Sequence, residues 1–234
     1  MKKDKITLAH GSGGKLTHEL VKQVFLPCFN NKALSLLGDS ALLNINGTKL
    51  AFTTDSYVVK PLFFPGGDIG MLAVNGTIND LAVVGAEPMF LSAGFIIEEG
   101  FELSLLEKVA NSMKEAATLA SVEIVTGDTK VVEKGSVDGL YMNTCGIGIV
   151  NNGINLCTSL IEIGDKIIIS GTIGDHGMAV LSERESLGFT PSIKSDCAPL
   201  SGTIKKILDS GAHIKFMRDP TRGGLATTLN EFVN

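Results

Sequence analysis

The apolar stretch from Leu72 to Pro88 is interrupted by polar residues at helical spacing. Leu72, Ala73, Leu81, Ala82 and Val84 call for burial, whereas Asn75, Asn79 and Asp80 do not. Asp68, Asn75 and Asn79 fall on one face of the predicted helix, with Asp80 beside it. Gly85 reads as the glycine just past a helix end, and Pro88 bars continuation. A helix so apolar that carries an acidic-amide cluster is either capped by polar neighbours or pointed at a cation.

The same pattern reading places the other elements. An amphipathic helix runs from about Lys15 to Phe29, with Leu16, Leu20, Val24 and Phe25 on its apolar side, behind the glycine loop His10–Gly14. Ala41 to Ile45 and Lys49 to Thr54 flank Asn46-Gly47, a two-residue hairpin signal. PLFFPGG, from Pro61 to Gly67, reads as a loop. Strands are predicted at Met89–Ile97, Val122–Thr126 and Leu140–Val150, with a helix over Glu102–Ala120. The order β-β-α-β-α-β-β gives an α+β layer, a mixed sheet with helices on one face.

Asn151-Asn152-Gly153 marks the expected domain boundary, giving an N-terminal domain over 1–152 and the start of a second over 153–234. In the second, Lys166–Ser170 (KIIIS) predicts a buried strand running into a glycine loop, 171–177, with a helix from Met178. Pro199–Ser210 predicts a helix and His213–Met217 a strand. The charged turn RDPTRGG, 218–224, opens a last helix at Leu225. The chain stops inside that helix, so the second domain is expected to be incomplete.

Composition narrows the function classes. Hydrophobic residues make up 44% and charged residues 19%, a globular balance. The net charge of −5 comes without a dense basic patch, which argues against nucleic acid as a partner. Cys28, Cys145, Cys157 and Cys197 show no metal-ligand spacing. No apolar run approaches the ~20 residues that span a bilayer, and the N-terminus lacks a signal-peptide core. A cytoplasmic protein without a membrane partner is expected.

Candidate chemistry lies in the acidic residues. Asp39 and Asp55 sit beside the outer ends of the predicted hairpin, which antiparallel pairing brings together. Two carboxylates so placed repel unless a cation lies between them. Asp68, Asp80, Asp128 and Asp219 join them: each alone reads as a turn-former or helix cap, and together they are hard oxygen ligands suited to Mg²⁺. Lys130 follows Asp128 by two, so on a strand it points the same way and can face phosphate oxygens. The loops around Gly11, Gly13 and Gly14 and around Gly174 and Gly177 can each offer backbone N–H groups to phosphate or act as plain turns.

HGSGG, GDSA, TTDS, VNGTINDLAVVGAEP, TGDTKVV, SGTIGDHGMAVL and RDPTRGGLATTLNE, in this order, resemble the PurM-like superfamily of aminoimidazole ribonucleotide synthetase, selenophosphate synthetase and thiamine-monophosphate kinase. HGSGG and RDPTRGGLA favour its hydrogenase-maturation branch, the HypE-like carbamoyl dehydratases. The resemblance implies an N-terminal sheet that closes into a barrel with a second copy in a homodimer, and an α/β C-terminal domain. It implies ATP and Mg²⁺ in the cleft, with Asp39, Asp55, Asp80, Asp128 and Asp219 on the metal and Lys130 catalytic beside them. The implied nucleotide set is His10, Gly11, Gly13, Gly14, Asn79, Thr129, Lys130, Gly174, Gly177, Arg222, Gly223 and Gly224.

The implied partners are the carbamoyltransferase HypF and the HypC–HypD complex. The implied reaction is ATP-dependent dehydration of a carbamoylated C-terminal cysteine to a thiocyanate, the source of cyanide for the iron of [NiFe] hydrogenase. This chain ends in NEFVN without a cysteine, so it is expected to lack carbamoyl acceptance. The competing expectations are a sibling synthetase or small-molecule kinase, and a non-catalytic dimeric module.

Overall fold

A computed structural model describes residues 5–189 and 192–233. The predicted hairpin forms as β1 (Ala41–Ile45) and β2 (Thr48–Tyr57), with Ala41 opposite Phe52. Asn46 and Gly47 both take positive φ, the backbone a tight two-residue turn requires. PLFFPGG, expected as a loop, instead folds into a small ribbon of β3 (Phe63–Phe64) and β4 (Gly67–Asp68). The central helix α3 (Ile69–Val83) follows, then β5 (Ala86–Glu98), α4 (Leu103–Leu119), β6 (Glu123–Val132) and β7 (Leu140–Val150).

The main sheet has the order β1-β2-β7-β5-β6. β5 and β6 are parallel because α4 carries the chain back across the sheet, and the other pairs are antiparallel. Both α3 and α4 lie on one face. Ile69, Val74, Ile78, Leu91, Val109 and Leu140, each at most 1% exposed, form the core between them and the sheet. Gly70 lets α3 approach α4, since a Cβ there would lie 2.5 Å from the Val109 carbonyl oxygen. Among the described residues nothing buries the other sheet face, where Phe52, Phe90, Ile96 and Ile147 are more than 40% exposed.

Ahead of the sheet, 15–29 is helical throughout, as α1 (Lys15–Leu20), a π turn (Val21–Phe25) and α2 (Leu26–Phe29). Pro27 cannot donate a backbone hydrogen bond, and Leu26 N–H reaches back to Val21 as the ladder widens before it. Past β7, α5 (Asp175–Glu185), α6 (Ser201–Asp209) and α7 (Gly224–Val233) form close to the predicted positions.

The two strands expected in this half do not form. Residues 166–170 are irregular, with Ile167 67% and Ile168 87% exposed. Residues 213–217 are also irregular, with backbone bonds from Cys157 N–H to the Lys215 carbonyl at 2.9 Å and from Ile214 N–H to the Ala212 carbonyl at 3.0 Å. A strand needs a neighbour to complete its hydrogen bonds, and among the described residues both sheets lie within 41–150.

Candidate active site

The polar face of α3 divides into three jobs. Asp68 caps the helix, accepting from Gly70 N–H at 2.7 Å and Met71 N–H at 3.1 Å, and its other oxygen accepts from Ser112 Oγ at 2.5 Å. Asn75 and Asn79 grip a strap formed by residues 195–200. Asn79 donates to the Ala198 carbonyl at 3.0 Å and accepts from Leu200 N–H at 2.8 Å, so both ends of its amide are engaged by the chain itself rather than turned to a nucleotide. Asn75 Nδ2 lies 3.5 Å from Cys197 Sγ, while its buried Oδ1 has no partner. Burial also pushes the Cys197 thiol up, which keeps it protonated.

Asp80 is the third job, and it faces an acidic cluster. Ser40 Oγ donates to its backbone carbonyl at 2.9 Å, tying the end of α3 to the start of β1. Thr53 Oγ1 lies 3.1 Å from the Asp80 carboxylate and 2.9 Å from the Asp39 carbonyl. Asp55 accepts from Tyr57 Oη at 3.2 Å, and a file of hydroxyls, Tyr57, Thr77 and Thr144, continues behind it to the Ala73 carbonyl. The turn before α7 supplies Asp219.

Electrostatics binds these carboxylates into one unit. Burial, then Asp55, Asp39 and Asp219, push Asp80 up to about 8. Burial and Asp55 push Asp219 up to about 6, against the pull of Arg218. Burial also raises Asp55, opposed by the Tyr57 hydrogen bond and by Arg222. Crowded, buried carboxylates whose proton affinity is raised in this way are a strong attractor for a hard cation. No three side chains among the described residues already converge as a metal cage. The donor set therefore suits an ion that takes one or two carboxylates and fills its shell with phosphate oxygens and water, which is the habit of Mg²⁺.

Asp128, Thr129 and Lys130 do not join the cluster. β6 runs on through Val132, so these residues lie within an exposed edge strand rather than at a strand end. Asp55 pairs with Thr144, Thr144 with Ala93, and Ala93 with Gly127. Three strand spacings of ~4.8 Å put this row about 14 Å from Asp55. Asp128 and Lys130 are in register with Gly94 and Ile96, on the open face of the sheet, while α3 covers the opposite face.

The glycine loops gather at the turn side. Gly13, at φ +79°, packs so closely on Arg222 that a Cβ would lie 2.7 Å from the Arg222 carbonyl oxygen. Its N–H is held by Thr17 Oγ1 at 2.9 Å, and His10 is engaged locally with Thr7. This brings the His10–Gly14 loop against Arg222, Gly223 and Gly224. Gly174 and Gly177 flank the start of α5, where His176 N–H donates to Asp196 at 3.1 Å and His176 Nδ1 lies 3.0 Å from Ser195 Oγ. Asp196 in turn contributes to the upward shift of Asp219. The strap was invisible to pattern reading, although Pro199 in its Asp-Cys-Ala-Pro run marks a connecting segment.

The family model for the AIR synthase related protein N-terminal domain matches residues 37–150, and that for its C-terminal domain matches residues 162–234. Over 231 residues, or 98% of the chain, the sequence is 51% identical to carbamoyl dehydratase HypE of Rhizobium leguminosarum bv. viciae. A HypE solved in a HypE–HypF complex is 55% identical and superposes with a TM-score of 0.86, covering 91% of this chain and 69% of that one. The chain belongs to the HypE family. A HypE solved in complex with ATP is 49% identical with a TM-score of 0.77, covering 97% of this chain and 68% of that one. The chain spans 66% of the length of the Rhizobium HypE. The PurM-like α+β architecture expected of this family is the one observed, with its mixed sheet and helices on one face.

Proposed function

We propose that this chain forms the nucleotide- and metal-binding part of an ATP-dependent carbamoyl dehydratase of hydrogenase maturation. The reading rests on one observation above all. Asp39, Asp55 and Asp219 all act on Asp80, with Arg218 paired to Asp39 and Arg222 acting on Asp55, in a family with a member solved with ATP. The substrate is a thiocarboxamide on a cysteine, S–C(=O)–NH₂. Its oxygen takes the γ-phosphoryl group of ATP, the C–O bond breaks with phosphate leaving, and two protons leave nitrogen. The products are S–C≡N, ADP and phosphate.

Bound Mg²⁺ supplies positive charge to the phosphoryl oxygens in such a transfer. Asp80 and Asp39, presented from α3 and the segment before β1, would hold it. Asp55 and Asp219 would complete the site from β2 and the RDPTRGG turn. Arg222 and the adjoining glycines orient the phosphates, with the His10–Gly14 loop packed over them.

Asp128 and Lys130 enter through a second copy of the chain. The uncovered apolar sheet face has the character of a homodimer interface. A two-fold arrangement across it would carry the partner copy's β6 face toward this cleft, where Lys130 would act on the phosphoryl group. HypF donates the carbamoyl group and the HypC–HypD complex receives the cyanide in this reading, which has its place in the cytoplasm. The test is mass spectrometry of the full-length protein after incubation with HypF, carbamoyl phosphate and ATP. ATP-dependent loss of one water from the carbamoyl adduct is expected. An adduct that persists unchanged would sink the assignment.

A further inference from the structure

Arg218 sits directly before Asp219, on the turn that also carries Arg222. Its Nε lies 3.1 Å from Asp39 Oδ1, and the two side chains are only 20% and 13% exposed. A pair this sheltered is weakly screened by solvent and salt. Arg218 also pulls electrostatically on Asp219, so its guanidinium acts on two carboxylates of the cluster. Arg222 acts on Asp55, a different member. The RDPTRGG turn therefore delivers two cations to separate parts of one acidic site.

Asp39 comes from the segment before β1 and Arg218 from the far end of the chain. Their contact fixes the turn against the sheet unit at the place where a divalent ion would sit. An arginine bound to such a carboxylate occupies the position of the metal's charge. We propose that Arg218 is a placeholder cation: it pairs with Asp39 until a divalent metal takes that carboxylate, and it then engages the phosphates of the nucleotide. The inference rests on the nucleotide reading of the cleft given above.

The exchange couples two ligands. Metal alone must separate Arg218 from Asp39 and cost a sheltered guanidinium its ion pair with that carboxylate. Nucleotide alone meets an arginine already engaged. Together, each ligand supplies what the other displaces, since metal satisfies Asp39 and phosphate satisfies Arg218. The guanidinium fork suits phosphate oxygens as well as it suits carboxylate. Metal and nucleotide should therefore strengthen each other's binding beyond their direct contact, and by the same factor in both directions.

The test titrates Mn²⁺ and a non-hydrolysable ATP analogue, separately and together, into the full-length protein by calorimetry. Arg218→Gln is expected to bind Mn²⁺ alone about tenfold more tightly and the Mn²⁺–nucleotide pair about tenfold more weakly. The opposite signs are the signature. Weaker binding in both titrations would mean that Arg218 only supports Asp39. Tighter or unchanged binding of the pair would mean that it only neutralises charge, and unchanged binding of Mn²⁺ alone would mean that no exchange occurs. Each of these overturns the proposal.

Arg218→Lys covers the case in which Arg218→Gln does not fold. It should keep the affinity for Mn²⁺ alone within about threefold and bind the pair about tenfold more weakly, because an ammonium lacks the fork. Wild-type affinity in both titrations for the lysine variant would also overturn it. A wild-type protein that binds no Mn²⁺–nucleotide pair would instead bring down the nucleotide reading itself.

Discussion

Residues 41–150 and residues 151–233 contribute to the same cleft by different means. In the first region, ladder hydrogen bonds hold Asp55 and a buried helix holds Asp80. α3 alone buries eleven residues. In the second, Arg218, Asp219 and Arg222 stand on an irregular turn, and Ile163, Ile167 and Ile168 lie open to solvent. A site split this way combines rigid ligands with adjustable ones. The carboxylates that crowd each other cannot move apart, so relief comes from protons and from the arginines brought by the looser half.

The sharpest way to break this comparison is at Asp80. Folded, it keeps its proton to about pH 8, whereas unfolded it ionises near 3.8. The folded state therefore binds the extra proton across that window and loses stability as pH rises through it. Asp219 adds to the same slope up to about pH 6. In metal-free buffer, thermal melts of Asp80→Asn should match wild type near pH 4 and lie higher near pH 8, by a few kcal/mol on an order-of-magnitude scale. The same variant should bind Mg-ATP about a hundredfold more weakly. Equal melts at both pH values would show that the rigid half does not crowd Asp80.

The join between the halves gives the next effect. Asn79→Ala leaves the Ala198 carbonyl and Leu200 N–H without partners and should cost about 1–3 kcal/mol. Hydrogen exchange at Leu200 should quicken while that of β7 stays as it was. Uniform quickening would mean that the strap supports the sheet rather than merely binding to it.

The smallest effect is expected in the looser half. Ile168→Thr should change the chemical-denaturation midpoint of this chain by less than about 0.5 kcal/mol equivalent, because the side chain is 87% exposed. A larger loss would place Ile168 in a packed environment and erase the contrast.

How far the sequence carried depended on whether a feature was local. Asn46-Gly47 named its hairpin, and Gly85 marked the end of α3, because turn and cap chemistry acts over a few residues. Asp39 and Asp55 were legible as neighbours because a hairpin has only one way to fold back. KIIIS failed as a strand because apolarity asks for burial but does not provide a ladder partner. Asp128 and Lys130 shared a face as their spacing implied. Which face, and how many strands from Asp55, followed from the order β1-β2-β7-β5-β6, which local pattern does not encode. The pairing of Arg218 with Asp39 was hidden for the same reason, as was the strap on Asn79.

That strap also sets an order of events during synthesis. Its bonds to Asn79 join positions 119 and 121 residues apart, and Asp219 and Arg218 come later still. Chains grow from the N-terminus and close their long-range contacts last. The sheet and α3 can therefore be complete while Asp39, Asp55 and Asp80 face one another without the turn that answers them. The growing chain carries an acidic pocket before it carries a nucleotide site, and the site is finished only when the ribosome has passed Gly224.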